Sequence, residues 1–484
     1  MNNRLYLHLM ANKEKGFALP LAVLIGLILM VTGMTMMMRA QGDQSKVIAQ
    51  KARADAFRSS EVGLARVQDL LNSVRVMATV GSKCTSGDNC WEKAEVVTNP
   101  STDLQRHLRK LVDAATPAPS CSNPNDAATL TAKIDELRGL SANKWSELGN
   151  NRYYRVVGYD YSIGTGRGVL TLEGLSRTSA ATDLTKTDLN RDSDDNAASR
   201  NRVVVTIPIL DSPPLAFNRT TVPALWISDG TVEDVAKFEG DVVEKVASPC
   251  NNKQDKIKKP TTDAPSPPYT AQFVGVFFPN LPPIPGSIPN LGGLTTSETF
   301  PRTGDTPTPR TINGKDVDVY EYIVDNINLS GSDKITITPG NRVVFYVKGN
   351  IKGAIEHDCG TTTGCKSGNL QIYANGSGSI CLTGNQKLQA FIFAPDYSLG
   401  KTDDGTFIGA AWGKNWGKIT DCPSSSVAVA VTQTKGVEWT ELIQDLKPKF
   451  PELDQIANWC EEPIDTAAGK SECNFPTASP SPSP

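Results

Sequence analysis

The apolar positions near the amino terminus predict one long helix with two different surfaces. Residues 17–38 form a run of 22 residues without a charged side chain. At 1.5 Å per residue such a helix measures about 33 Å, which is enough to cross the hydrocarbon core of a bilayer. From Val47 the apolar residues recur at helical spacing, so we expect one helix over residues 17–80. The predicted apolar stripe of its second half contains Ala54, Phe57, Val62, Ala65, Leu70 and Leu71.

The pattern over residues 81–210 is typical of a small α+β domain, which we call the head. Residues 129–140 have helical periodicity, whereas residues 153–159, 168–175 and 202–207 are rich in β-formers and lie between turn residues. A helix followed by consecutive strand-like runs predicts an antiparallel sheet packed against helices.

Residues 211–445 form a second region, which we call the passenger and predict to be all-β. Its short strand-like runs are separated by Gly, Asn, Asp and Ser, and this cadence favours a β-solenoid of stacked parallel strands. A proline-rich insertion at about residues 250–310 predicts an extended surface strap rather than core. Residues 446–484 then form a carboxyl-terminal segment that ends in a Pro/Ser tail. The predicted fold class is therefore α+β.

Composition excludes one broad class of function. The formal net charge of −3 lacks the basic surplus of a general nucleic-acid binder, so we expect no nucleic-acid partner. No G-x-S-x-G motif occurs, and the three histidines, His8, His107 and His357, have no neighbouring nucleophile motif. We therefore predict no catalytic residues and no enzymatic activity.

The ten cysteines all follow the apolar run, and six of them form three close pairs. These pairs are Cys84 with Cys90, Cys359 with Cys365, and Cys460 with Cys473. Short loops of this kind predict local disulfides outside the cytoplasm. Zinc is the alternative, but it favours tighter spacing and imidazole partners, and only His357 lies near a pair. We expect disulfides and no metal.

One loop offers the oxygen ligands that calcium prefers. Asp188, Asn190, Asp192 and Asp194 stand at alternate positions. However, Ser193 replaces the glycine of a calcium loop, and Ser199 stands where a bidentate glutamate would close the site. A solvated loop is the preferred interpretation and calcium the alternative, so no cofactor is expected.

The junction before the apolar run is the strongest functional signal. A polar leader that carries Arg4, Lys13 and Lys15 ends at Gly16, and Phe17 opens the apolar helix. This order resembles the class III leader of type IV prepilins. The resemblance implies residues 1–16 as a leader and cleavage between Gly16 and Phe17 by a prepilin peptidase that methylates the new amino terminus. The alternative is an ordinary signal anchor that keeps Met1.

The mature helix resembles that of PilX-type minor pilins and related pseudopilins. Pro20 falls in the first turn, where a missing N–H is tolerated. Leu21 stands at the fifth mature position, where most major pilins have glutamate. The segment 53–66, with Phe57 four residues before Glu61, is similar to the PilX-type stretch.

The resemblance implies a single-pass inner-membrane protein that later joins a pilus or the cell surface. Its implied partners are the prepilin peptidase, other minor and major pilins, and the inner-membrane assembly platform.

Strand-like segments such as 344–351 and 391–396 look like β-solenoid passenger domains attached to PilX-type amino termini. This similarity implies a surface-exposed head that mediates adhesion, with a surface glycan as a further partner. The alternative function is a membrane-anchored, glycan-binding or glycan-acting surface protein. Trp226, Trp412 and Trp416 could stack on sugars, although buried positions are expected for at least the first two.

The leader generates the first testable prediction. In peptidase-positive cells the mature chain should begin with N-methylated Phe17, and Gly16→Val should block cleavage because a β-branched side chain replaces the glycine at the junction. Mass spectrometry of the purified amino terminus measures both outcomes. A wild-type chain that still begins with Met1 would contradict the pilin resemblance.

Overall fold

The computed structural model describes most of the chain after the leader. The described residues are 18–85, 87–115, 125–177, 197–228, 232–233, 238–244, 254–258, 265–274, 278–417, 431–464, 466 and 473. The predicted cleavage site, Gly16 and Phe17, lies outside them. The calcium candidates Asp188, Asn190, Asp192 and Asp194 also lie outside them.

Among the described residues, four α-helices lie in the first half of the chain. They are α1 Ala18–Ser73, α2 Asp103–Ala115, α3 Ala127–Ser141 and α4 Leu215–Asn218. Helix α1 ends before the expected residue 80 because the backbone of Val74 turns to φ −125° and ψ 65°, and a 3-10 turn follows at Arg75–Thr79. Helix α3 begins earlier than expected because the Asp126 side chain caps it and accepts the N–H of Thr129 at 2.7 Å.

The strands form one antiparallel sheet and one extended parallel system. In chain order they are β1 Ser146–Gly149, β2 Arg152–Ser162, β3 Arg167–Arg177, β4 Ala197–Asp211, β5 Leu225–Ile227, β6 Val232–Glu233, β7 Val242–Glu244, β8 Ala271–Phe273, β9 Gly293–Leu294, β10 Glu298–Phe300, β11 Thr308–Ile312, β12 Lys315–Val324, β13 Asn326–Asn328, β14 Lys334–Ile337, β15 Val343–Val347, β16 Ile351–Glu356, β17 Leu370–Ala374, β18 Gly378–Leu382, β19 Leu388–Lys401, β20 Phe407–Gly417, β21 Val431–Thr432, β22 Pro451–Leu453 and β23 Asn458–Glu462.

The head is an antiparallel sheet with helices packed on one face. Strands β1 to β4 pair in chain order, and β22 and β23 both pair with β4. The second half of α1, together with α2 and α3, covers one face and forms a buried cluster with β2, β3 and β4. The predicted α+β class, with a long amino-terminal helix, an antiparallel sheet and a β-rich carboxyl-terminal region, is confirmed.

The sheet pairing corrects the place given to the end of the chain. Residues 446–484 were expected to form a separate segment, but β22 and β23 belong to the head sheet. Leu453, Ile456 and Trp459 pack against the head core. The passenger is therefore inserted between β4 and β22 of the head.

The passenger strands stack in parallel ladders. The first ladder runs in the spatial order β8, β7, β5, β20, β19, β17, β15 and β12. A second ladder joins β13, β16, β18, the far ends of β19 and β20, and β6. A third group of strands closes the remaining side of the passenger. It contains β10, β14, β21 and the end of β16, and isolated parallel bridges link its members. Inward side chains of these strands form one apolar core.

The chain enters the first ladder in its middle rather than at an end. Strands β5, β7 and β8 extend it one way, and the chain then crosses to the far end and returns through β12, β15, β17 and β19 to β20. There β20 pairs with β5. At about 4.8 Å per strand, eight strands measure roughly 34 Å, a length that fewer than 20 extended residues can span.

Residues 278–290 make that crossing, and we call them the strap. Phe278 packs on Trp226 and Phe393 at ring-centroid distances of 4.8 and 5.4 Å, and Ile284 and Ile288 pack on the same outer apolar cluster. The strap was predicted from its prolines. The expectation that the whole insertion avoids the core is wrong, because β9 and β10 join the ladders and Phe300 is fully buried.

The insertion generates the second prediction. Ser212 donates its N–H to the Phe450 carbonyl at 3.0 Å, directly where the passenger begins and ends. Replacing residues 213–449 by Asn-Gly should therefore close a tight β-hairpin and leave a folded head. We expect a cooperative thermal transition and a near-ultraviolet circular dichroism signal from Trp91, which stacks on Tyr159 at 4.9 Å.

The matched control deletes residues 213–462 and so also removes β22 and β23. This control should be less stable, because the side chains of Leu453, Ile456 and Trp459 no longer cover the head core. Loss of the near-ultraviolet signal in the shorter deletion would contradict an independently folding head.

Candidate functional site

The first half of α1 is an apolar helix that no other described part of the chain covers. Its most apolar 18-residue window has a mean hydropathy of 2.3, and none of that window is buried. Leu21 is 49% exposed, and Pro20 is exposed beside it. By length and composition this is the one membrane-span candidate among the described residues.

The few polar groups of this segment are satisfied within the helix. The Thr32 hydroxyl donates to the Ile28 carbonyl at 2.9 Å, and the Thr35 hydroxyl donates to the Val31 carbonyl at 3.0 Å. Such internal bonds reduce the cost of placing hydroxyl groups in lipid. The first turn contains no acidic residue, and Leu21 is exposed there as an apolar side chain.

The second half of α1 docks on the head through small side chains. Its buried residues are Ala52, Ala56, Ser59, Ser60, Gly63, Leu64, Val67, Leu70 and Leu71. A Cβ at Gly63 would lie 2.6 Å from the Tyr154 ring, and a Cβ at Gly174 of β3 would overlap the Ala56 carbonyl oxygen. The Ser60 hydroxyl donates to Asn201 of β4 at 3.0 Å. Helix and sheet are therefore in backbone-level contact.

This packing corrects the predicted stripe. Leu70 and Leu71 are buried as expected, whereas Ala54, Val62 and Ala65 are exposed on the side of α1 that faces away from the sheet. Consequently α1 has a second, uncovered side, on which small and apolar side chains are interspersed with exposed charged ones such as Arg58 and Glu61. Val47, Ile48 and Val62 are its large apolar residues, and Val62 is 47% exposed.

Phe57 and Glu61, which carry the PilX-type resemblance, differ in exposure. Phe57 is half-buried, and its ring lies 5.7 Å from that of Trp459 in β23. Glu61 is exposed. Phe57 thus belongs to the head packing, while Glu61 is available to solvent or another subunit.

Ion pairs orient α1 on the head. Arg66 binds Glu136 of α3 through two hydrogen bonds, one of them 2.7 Å between Nε and Oε1. The hydrogen bond with Glu136 raises the pKa of the Arg66 guanidinium. Lys133 of α3 lies 3.3 Å from Asp69. Exposed pairs of this kind contribute little stability, so the buried contacts of α1 are the main source of its docking energy.

The opposite face of the head sheet contains a buried charge cluster that sequence reasoning missed. Glu173 is fully buried and pairs with Arg155, Arg200 and Arg202. Burial alone would raise the pKa of its carboxyl, but Arg155 and Arg200 hold that pKa below its usual value. Arg155 also lies 4.7 Å above the Trp145 ring. The cluster joins β2, β3 and β4 and has a structural role.

The three close cysteine pairs are disulfides in the structure. Cys84 is bonded to Cys90, Cys359 to Cys365, and Cys460 to Cys473. Cys381 is disulfide-bonded as well, and none of the described cysteines is free. The His357 ring lies against the second pair, closer than its sequence position alone indicated.

The aromatic candidates for sugar stacking are buried. Trp226, Trp412 and Trp416 are at most 1% exposed, so none of them offers a ring face to a ligand. Trp226 and Trp412 belong to the outer cluster under the strap, and Trp416 belongs to the inner core. The glycan alternative therefore loses its aromatic platform at these positions.

Comparisons with known proteins assign no family to the whole chain. A family model described as a domain of unknown function, DUF7305, matches residues 306–418, which contain the strands from β11 to β20. No curated protein matches. Among solved structures, the competence-associated pilin ComZ from Thermus thermophilus is similar over 85% of this chain and 98% of that chain, at 11% identity. The TM-score of 0.20 is too low to assign a fold.

The docking of α1 generates the third prediction. Gly174→Ala should destabilise the head by about 1–3 kcal/mol, because its methyl group overlaps the α1 backbone and forces the helix away from the sheet. Urea unfolding followed by tryptophan fluorescence measures the change. Gly158→Ala in β2 is the matched control, since no atom lies within 4 Å of its added Cβ. Equal stability of the two variants would contradict backbone-level contact.

Proposed function

We propose that the protein is a PilX-like minor pilin or pseudopilin that takes part in assembly of a type IV pilus or a related secretion filament. The observation that carries this proposal is the two-faced helix α1. One face docks the head, while the apolar first half and the outward face of the second half stay uncovered. An apolar first half followed by a second half whose outward side stays uncovered suits insertion first into a bilayer and then among the helices of neighbouring subunits.

The proposed partners follow from this role. The prepilin peptidase processes the leader at Gly16 and Phe17, the inner-membrane assembly platform receives the anchored subunit, and minor and major pilins contact α1. The disulfides are consistent with a head placed outside the cytoplasm.

In this proposal the passenger is a β-solenoid displayed on the surface. Its three parallel ladders around one core support that interpretation. The outer aromatic face of the first ladder is covered by the strap, so a partner in adhesion would meet polar loops rather than aromatic rings.

We further propose a rare position at the filament tip or in initiation of assembly. Leu21 supplies no carboxylate for the terminal amine of a neighbouring subunit, and burial of an unpaired amine is costly. A first-assembled subunit has no preceding amine to neutralise. The inserted passenger also makes the extracytoplasmic part too large to repeat on every subunit of a bundle.

The fourth prediction tests the uncovered face of α1. A photo-crosslinking amino acid at Val62 should form adducts with other pilin-type subunits in cells that assemble filaments, because Val62 points away from the head. The same probe at Lys352, an exposed ladder residue, is the control and should not form them. Adducts from Lys352 but none from Val62 would contradict the proposal.

Immunogold labelling tests the proposed position separately. Sparse or terminal label, together with lost piliation in a deletion strain, supports a tip or initiating subunit. Dense label along the whole shaft would refute this position while leaving the pilin role intact.

A further inference from the structure

The Cys359–Cys365 disulfide lies against a fully buried imidazole. His357 is 0% exposed, and its Nε2 atom lies 3.5 Å from Cys365 Sγ and 3.9 Å from Cys359 Sγ. Its other ring nitrogen, Nδ1, lies 2.5 Å from the backbone oxygen of Gln389. Because a carbonyl oxygen only accepts, the ring proton belongs on Nδ1, and Nε2 presents its lone pair to the two sulfur atoms.

The ladder backbone holds this arrangement rigidly. The His357 N–H donates to the Lys387 carbonyl at 3.1 Å, and the Gln389 N–H donates back to the His357 carbonyl at 3.0 Å. The Gln389 side chain also accepts the Cys359 N–H at 2.6 Å. One residue of β19 therefore positions both the imidazole and the first cysteine.

These features are those of a metal-ligating histidine. Such a histidine donates one ring N–H to a backbone carbonyl or carboxylate, which fixes the tautomer and directs the other nitrogen to the metal. In tetrahedral zinc sites with bonds of about 2.0 Å to nitrogen and 2.3 Å to sulfur, the two ligand atoms lie about 3.5 Å apart. The Nε2–Cys365 Sγ distance here already has that size, and the Nε2–Cys359 Sγ distance is 0.4 Å longer.

We propose that, once this disulfide is reduced, the folded protein binds Zn²⁺ through His357 Nε2 and the thiolates of Cys359 and Cys365. The three ligand atoms lie within 4.8 Å of one another. A fourth, open position is left for water or an external ligand. Cys365 and the exposed loop that precedes it provide access from solvent.

The change from disulfide to zinc site balances with a dithiol reductant. The dithiol supplies two electrons and two protons, the S–S bond breaks, and two thiols form while the reductant becomes a disulfide. Binding of Zn²⁺ then releases one proton from each thiol. Oxidation and zinc binding use the same two sulfur atoms and therefore exclude each other.

The other two close-pair disulfides, Cys84–Cys90 and Cys460–Cys473, serve as controls within the same molecule. Cys84 and Cys90 have the same sequence separation of 6 but have Glu92 rather than an imidazole beside them. That carboxylate is already bound to Lys83 at 2.7 Å. Cys460 and Cys473 belong to neither group of potential metal ligands found among the described residues.

The experiment measures zinc protection of each cysteine. Full-length protein in detergent is reduced with dithiothreitol, freed of reductant under nitrogen, and alkylated with iodoacetamide with or without equimolar Zn²⁺. Peptide mass spectrometry then gives the alkylation rate at each position. We expect Zn²⁺ to slow alkylation of Cys359 and Cys365 by about tenfold or more, and that of Cys460 and Cys473 much less.

The matched variant is His357→Asn. Its side-chain amide can still donate to the Gln389 carbonyl, but it has no atom at the Nε2 position. Zinc protection of Cys359 and Cys365 should fall to the level of the control pairs, while near-ultraviolet circular dichroism of the oxidised variant stays native. Equal protection in wild type and variant would overturn the proposal. Absence of protection in reduced wild type, including loss of its folded signal, would overturn it as well.

Discussion

The antiparallel pairing of β4 with β22 is the contact on which the arrangement of the whole molecule depends. It joins residues on either side of the passenger, and closing a flexible loop of about 240 residues would cost roughly 5 kcal/mol of chain entropy. The passenger removes most of that cost, because its own ends already meet where Val222 donates to the Val437 carbonyl and Thr221 pairs with Glu438. The two folded bodies are thus joined where the chain leaves the head and returns to it, and Lys110 of α2 adds a hydrogen bond from its Nζ to the Phe278 carbonyl at 3.0 Å.

Close approach of α1 to the head sheet determines which side chains of the helix stay exposed. Small side chains let the helix approach the sheet closely on one side, so it can hold a domain and still leave apolar residues such as Val62 exposed on the other side. A helix with a single leucine-rich stripe could use that stripe either to dock the head or to contact another surface, but not both. In the proposed function the same helix of 56 residues serves as anchor in its first half and as docking element and contact surface on two sides of its second half.

The sequence predicts the elements with strong periodicity and misses contacts made by small or distant residues. The apolar run, the strands β2 and β3 and the strap were found, because charge-free length, alternation and proline content leave local signals. The buried side of α1 was assigned to the wrong face because Ala56, Ser60 and Gly63 carry no hydrophobic signal. Strands β22 and β23 were missed because short strands become evident only through a partner far along the chain. The only signal in the sequence for the contact of His357 with the Cys359–Cys365 disulfide was that these residues lie close together along the chain.

The path of the chain through the first ladder makes the passenger a single cooperative unit. In an ordinary stack of repeats each layer contacts only its neighbours in sequence, so folding can begin anywhere and ends can fray. Here the central contact, β20 on β5, joins the last strand of the ladder to its first and forms only when both halves are built. The strap crosses the stack and covers the outer edge of β12. There Ile323 donates its N–H to the Pro289 carbonyl and accepts the N–H of Leu291, the residue that follows the strap. Proline there has no N–H to offer a further strand, which blocks edge-to-edge association. Opening one end would therefore disturb the strap, and through it the centre, so we expect the layers to unfold together rather than one at a time.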